Sequence, residues 1–310
     1  MTGGSNVSQH GFSARSAAQS LLPPVVWTGL RRLHSALPGT ARPQWEYVPE
    51  GWARAQTDPD VKGWNVDAVS ERHRLLWPAW TRALEGNGML GVDFWRPLRT
   101  QDYDGRAVPT DLAWAHNAAM SFAYALTLTA RHTDRLSILD LGGGVGQFSP
   151  LTRALLPDVE VDYHVVDTPV MCSLGRELNP ELHFYDDASW QGRQYDLVLA
   201  SGALQCTEQW QTTLAALAQA TAGHLFVTRI PVVFHTPSFV VLQRAEAYGF
   251  ETEFLGWFVN RDEFLACAAG AGHELLREFV MMDHTPAAGA PEQATYRGFL
   301  FRPTETGARD

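Results

Sequence analysis

The stretch SILDLGGGVGQF, Ser137 to Phe148, decides how the chain is read. An apolar run ends at an acid, Asp140, and is followed by Gly142, Gly143, Gly144 and Gly146. The pattern predicts a buried strand that turns through a tight loop into a helix. In an open parallel sheet, ligands bind beyond the carboxyl ends of the strands, where this loop would lie. Glycines there let the backbone approach a ligand closely. A dinucleotide fingerprint would need glycine at the sixth position of GxGxxG, and that position is Gln147. No GxxxxGK[ST] follows, so a phosphate loop is excluded as well. The spacing is instead Asp140-x-Gly142-x-Gly144-x-Gly146. An acid so close to the first glycine would repel a pyrophosphate and suits an ammonium group.

Downstream, the rhythm alternates. EVDYHVVD reads as a second strand ending at Asp167, ELHFYDD as a third ending at Asp186 and Asp187, YDLVLAS as a fourth and HLFVTRIPVV as a fifth. Helical patterns (GQFSPLTRALLP, TPVMCSLGRELN, EQWQTTLAALAQA, NRDEFLACAAGAG) fall between or after them. HELLREFVMM and TYRGFLFRP close the chain as an antiparallel pair at one edge. Strands alternating with helices predict a Rossmann-like doubly wound sheet of seven strands, five or so of them parallel. Asp167 stands 21 residues after Gly146, where an acid accepts hydrogen bonds from ribose hydroxyls. Asp186 or Asp187 would receive an adenine amino group, or serve only in capping and turns. Three acids at successive strand ends thus suit a ligand with an amino-acid head, a ribose and an adenine.

Upstream, SERHRLLWPAWTRALEG and DLAWAHNAAMSFAYALTLTAR carry helical periodicity. Pro78 predicts that the first is kinked or split, and Asp111 suits the start of the second. WEYVPEGW and DVKGWNVD read as loops or short turns. We therefore expect a mobile tail over 1–22, a helical cap or lid over 23–134, and a catalytic domain over 135–304.

The 310 residues are 45% hydrophobic with a net charge of -10, and no basic run exceeds the pair Arg31 and Arg32. Such a surface disfavours nucleic acid and acidic membranes and fits a small-molecule partner. The three cysteines, Cys172, Cys206 and Cys267, stand far apart, without metal spacing. No metal site is read. Pro23 and Pro24 interrupt the one apolar patch near the start, and no stretch approaches the ~20 residues of a membrane span. A cytoplasmic protein is expected, and a homodimer is left open.

The stretch from Leu136 to Thr207 resembles the core of class I S-adenosylmethionine-dependent methyltransferases. LDLGGGVG, DLVLASGALQC, TRIPVV, VVLQR and the entry WEYVPEGWARA…KGW resemble, more narrowly, methyltransferases of polysaccharide and natural-product gene clusters. That resemblance implies S-adenosylmethionine as cofactor. Asp140 and the glycines would hold its methionine part, Asp167 its ribose, and Asp186 or Asp187 its adenine. Thr168 would be an adenine neighbour, and Ser201, Gly202 and Leu204 would line the pocket beside the sulfonium.

Methyl transfer is a direct displacement at an activated carbon, so alignment does most of the work. A base is needed only where the acceptor must lose a proton. Base candidates are His116, with Asn117 and Tyr124 on the same helix, then His235 after strand five, and His284. Arg229 could clamp a substrate carboxylate, and Gln243 lies on a segment that would face substrate. The absence of Asn-Pro-Pro-Tyr after strand four argues against amino methylation of DNA bases or protein amides. The leading expectation is a small-molecule methyltransferase of natural-product or polysaccharide biosynthesis. One alternative is a cyclase or lyase closing the cofactor's own amino acid into a ring with release of methylthioadenosine. Another is a non-catalytic binding module.

Overall fold

Strand order and direction follow the glycine loop outward. The computed structural model describes residues 42–87 and 113–304. The tail 1–22 and Asp111 lie outside that set, as does the side chain of His284. All the described residues except Arg42 and Pro43 belong to one compact unit. The strands are β1 (Trp45–Tyr47), β2 (Arg135–Leu141), β3 (Glu160–Val166), β4 (His183–Tyr185), β5 (Tyr195–Ser201), β6 (Thr221–Val233), β7 (Phe239–Arg244), β8 (Glu253–Asn260), β9 (His273–Thr285) and β10 (Ala294–Pro303). The main helices are α1 (Asp67–Asn87), α2 (Ala113–Thr129), α3 (Phe148–Leu155), α4 (Pro169–Leu178), α5 (Trp210–Gln219) and α6 (Arg261–Gly270).

Seven strands form the main sheet in the order β4-β3-β2-β5-β6-β10-β9. The first five pair in parallel, and β10 runs antiparallel to both β6 and β9. This is the Rossmann-like sheet expected, with its C-terminal antiparallel pair at one edge. In β5 every residue but Asp196 is buried, as befits a parallel strand covered on both faces. One face packs Ala118, Phe122 and Leu126 of α2 with Phe148 and Leu151 of α3 against Ile138, Leu197 and Phe226. The other packs Trp210, Leu214 and Leu217 of α5 and Phe264 of α6 against Val198, Leu225 and Phe299. Asn260 caps α6 by accepting from the N–H groups of Asp262 and Glu263, both at 3.0 Å.

Three features depart from the sequence reading. Trp45–Tyr47, read as loop, is an edge strand antiparallel to β7. Residues 253–260 were not read as a strand at all. They form β8, which pairs with β7 and, through Val259 and Asn260, with the last two residues of β6. A small sheet, β1-β7-β8, thus extends from the carboxyl end of β6. A three-residue edge strand is stabilised by pairing with a segment some two hundred residues away, which local periodicity cannot report. Finally, α1 runs unbroken through Pro78. Its buried Val69, Leu76, Trp77 and Trp80 pack against Val145, Met171, Leu174 and Phe250, and this packing outweighs the one helical N–H that proline lacks.

Candidate functional site

The loop between β2 and α3 holds its shape through residues on three sides. Gly142, Gly144 and Gly146 have φ of +69°, +61° and +86°, a region that a side chain opposes. A Cβ would fall 2.3 Å from Ala203 Cβ at Gly142, 2.5 Å from Asp140 Oδ2 at Gly143 and 2.4 Å from Leu182 Cδ1 at Gly146. At Gly144 the nearest atoms, on Gln147 and His73, are 3.6 Å away. Three of the four glycines are therefore demanded by the protein's own packing, and only Gly144 has room beside it. The Gly144 N–H donates to Asp167 Oδ2 at 2.8 Å, and the Thr168 N–H to Asp167 Oδ1 at 2.6 Å. Asp167, just past β3, thus braces the loop of β2.

Asp140 is 1% exposed. Its Oδ2 accepts from the Tyr163 hydroxyl at 2.8 Å, while its Oδ1, also buried, has no hydrogen-bond partner. Burial pushes its carboxyl up to about 7. The Tyr163 bond and the Arg229 charge oppose that shift, and Asp167 adds to it. Burial also raises the Asp167 carboxyl, against the two N–H bonds that it accepts. Arg229, on β6, is the one non-glycine residue with positive φ among those described, at 55°. Its Nε donates to Ser201 Oγ at 2.9 Å and its Nη2 to the Ser201 carbonyl at 2.6 Å. A Cβ on Gly202 would stand 3.2 Å from that guanidinium. A strained arginine beside a buried carboxylate, at the ends of three strands, is the arrangement expected of a functional centre.

Helix α1 lies over this loop. His73 Nδ1 accepts from Gln147 Nε2 at 2.9 Å. The His73 ring lies 5.5 Å from both Trp80 and Phe250. Burial, then Arg72, pushes the imidazole down to about 4, so it is neutral at physiological pH. Trp64 stands 5.5 Å from Phe250 and 4.5 Å from Phe254, closing an aromatic layer. None of these residues was read from the sequence as belonging to the site. The available signal was Gln147: the residue that denies the dinucleotide fingerprint is the one that ties α1 to the loop.

The remaining sequence candidates are distributed as follows. Thr168 Oγ1 is buried beside Asp167 and helps to hold its carboxylate. Asp186 pairs with Arg176 at 3.5 Å, and Asp187 caps a short helical turn by accepting from the Ser189 N–H at 2.9 Å. Asp187 thus takes the capping role that the sequence allowed. Leu204 is fully buried in the core under β5. Asn117 Nδ2 donates to the carbonyls of Val280 and Met281 at 3.3 and 3.4 Å, so it fastens α2 to β9. Tyr124 is 48% exposed and packs edge-on against Phe279 of β9. His116 is half-buried, with no hydrogen bond or ion pair among the described residues. His235 is exposed in the loop after β6. In that loop Phe234, His235 and Thr236 donate their N–H groups to Glu292 at 2.7, 2.9 and 2.9 Å. Gln243 is buried on β7, opposite Trp45. No described helix is long and apolar enough to cross a membrane.

No protein-family model matches the chain, and no curated protein matches it in sequence. Solved structures with similar coordinates include the CcbJ methyltransferase of Streptomyces caelestis, at 15% identity, covering 59% of this chain and 88% of that one with a TM-score of 0.40. The 1,6-didemethyltoxoflavin-N1-methyltransferase of Burkholderia thailandensis is 17% identical, with coverage of 66% and 94% and a TM-score of 0.38. An amino pentose methyltransferase from Micromonospora echinaspora is 15% identical, with coverage of 66% and 100% and a TM-score of 0.39.

Proposed function

We propose that the protein transfers a methyl group from S-adenosylmethionine to a small-molecule acceptor. The observation that carries this reading is the buried, unpartnered Oδ1 of Asp140 at the mouth of the glycine loop. A buried carboxylate oxygen without a donor is costly, and an ammonium group supplies the missing bond. Arg229, across from Asp140, offers the opposite charge, which suits the two ends of an amino acid. Asp167 uses one lone pair on each oxygen to brace the loop and keeps others for ribose hydroxyls. Thr168, whose hydroxyl also supports the Asp167 carboxylate, stands next to it, where the resemblance puts adenine. These residues fit the cofactor.

When bound, S-adenosylmethionine supplies a methyl group already activated by positive sulfur. The chain's contribution is then alignment and dryness. The loop and Asp167 fix the ligand against β2 and β3, while Trp64, His73, Phe250 and Phe254 cover the loop and exclude water. His235 and His116 are the two candidate bases whose imidazoles no described side chain holds, and either could take a proton from an acceptor. Asn117, next to His116, reaches Val280, which is level through Arg297 with Ile230, one residue past Arg229. The net charge of -10 favours neutral or cationic acceptors. Acceptors of natural-product and polysaccharide biosynthesis are the class to screen.

The test begins with S-adenosylmethionine titrated into the wild type, Asp140→Asn and Asp167→Asn. Binding to the wild type, weakened in both variants, is expected. Incubation with the cofactor alone, followed by mass spectrometry, should leave it intact until an acceptor is added and S-adenosylhomocysteine forms. Absence of binding, or release of methylthioadenosine without an acceptor, overturns the proposal.

A further inference from the structure

We propose that Asp162, His164 and His183 form a surface site for a divalent transition-metal ion of the zinc class, joining β3 to the edge strand β4. The site is separate from the glycine loop and does not rest on the methyl-transfer reading. Side chains two apart on a strand share a face, which puts Asp162 beside His164. The parallel register pairs His164 with His183. Tyr163, between the first two, faces the other side of the sheet, where it reaches Asp140. The three residues, 19 positions apart from His164 to His183, match no familiar metal spacing, and the sequence reading expected no metal.

The distances suit a metal. His164 Nε2 lies 3.1 Å and His183 Nε2 3.2 Å from the same Asp162 Oδ1, and the three ligand atoms fall within 4.8 Å of one another. Tetrahedral zinc with bonds of about 2.0–2.2 Å separates its ligands by roughly 3.3–3.5 Å. Two edges of such a tetrahedron are thus already within a few tenths of an ångström.

The rings are also held for the purpose. The other nitrogen of His164, Nδ1, is 3.0 Å from the Tyr185 hydroxyl, which accepts from Arg193 Nη1 at 3.3 Å. A partner on the far nitrogen is what fixes tautomer and orientation in metal-bound histidines. His183 stacks on His164 at 4.6 Å, and Tyr195 meets the His164 ring edge-on at 5.1 Å. His164 is buried, with a side chain 3% exposed, whereas those of Asp162 and His183 are 36% and 55% exposed. An ion can therefore enter from solvent, which also supplies the remaining ligand. Two imidazoles and one carboxylate favour zinc, cobalt or nickel over magnesium or calcium. The bound ion would fasten the three-residue β4, which among the described residues has a neighbouring strand on one side only.

The competing account is a metal-free network in which Asp162 accepts from both imidazoles. Titration of untagged, EDTA-treated full-length protein with Zn2+ by calorimetry, and with Co2+ by visible absorption, separates the two. We expect one Zn2+ per chain, at least tenfold weaker binding in His183→Ala and in Asp162→Asn, and about 10–100-fold weaker binding in Tyr185→Phe. Co2+ should give ligand-field bands without a thiolate charge-transfer band, and Mg2+ should not compete. His183 and Asp162 are exposed enough for their variants to fold, and an unchanged circular dichroism spectrum checks this. Absence of Zn2+ binding at micromolar concentrations, binding unchanged in His183→Ala, or a thiolate band overturns the proposal.

Discussion

Replacing Asp140 by asparagine should strengthen the fold while weakening ligand binding. Burial takes this carboxyl from 3.8 to about 7. A raised acid binds an extra proton in the folded state. Its contribution is fully present below about pH 4 and is lost as pH rises through about 7. At 1.36 kcal/mol per pKa unit, the ionised Asp140 costs the folded wild type on the order of 4 kcal/mol above pH 7. About 2 kcal/mol of that loss falls between roughly pH 5.5 and pH 8.5. The asparagine carries no charge, and its carbonyl can still accept the Tyr163 hydroxyl. Urea and thermal unfolding should therefore find the variant more stable near pH 8.5, with an advantage smaller by about 2 kcal/mol near pH 5.5. At roughly 2–4 °C per kcal/mol, the gap in Tm should change by about 4–8 °C between the two pH values. The same variant loses the charge that faces the cofactor's ammonium group. A charged hydrogen bond contributes ~1.5–3 kcal/mol, so calorimetry should show S-adenosylmethionine bound about 10–150-fold more weakly. A stability gap that does not widen with pH, or unchanged cofactor binding, would refute the reasoning.

Four further outcomes follow from the same geometry. Wild-type affinity for S-adenosylmethionine should fall about tenfold per pH unit below 7 as Asp140 protonates, and fall again above about pH 8 as the ligand's amino group loses its charge; a flat calorimetric profile would contradict this. Gly146→Ala meets Leu182 Cδ1 at 2.4 Å and adopts φ of +86°, costing roughly 2–5 kcal/mol. Combined with Leu182→Ala, it should destabilise less than the two changes summed, and strict additivity in urea would show that the clash is absent. Gln147→Ala leaves a buried His73 nitrogen without its donor, so hydrogen exchange along α1 should quicken while β2 stays protected, at ~1–3 kcal/mol of stability. Burial raises the Glu292 carboxyl, but the N–H groups of Phe234, His235 and Thr236 win and hold it below its ordinary value. That stabilisation is present above the ordinary glutamate range and lost on acidification. Glu292→Gln should therefore lower Tm at pH 7 and leave it nearly unchanged at about pH 3.

The sequence by itself determined the main sheet. LSILDL, HVVD and YDLVLAS are apolar enough to be buried on both faces, and the helical stretches between them leave a parallel arrangement as the economical connection. It also determined Asp140, Asp167 and the glycines as a loop at strand ends, because acid, glycine and strand period are all local signals. Neither β8 nor the pairing of Trp45–Tyr47 with β7 was legible, since a short strand takes its stability from a partner far along the chain. The same holds for the site's roof. His73 and Trp64 resemble other half-buried residues in their own helix or loop, and only the fold carries His73 beside Gly144 and Trp64 onto Phe250 and Phe254. Asp186 and Asp187 were equivalent in sequence, and the structure separates them into an ion pair with Arg176 of the preceding helix and a local cap on Ser189. The grouping of Asp162, His164 and His183 depends on the register of two neighbouring strands. Local pattern can thus place a residue on an element and a face, whereas long-range packing alone decides which elements meet and which buried groups are left without a partner.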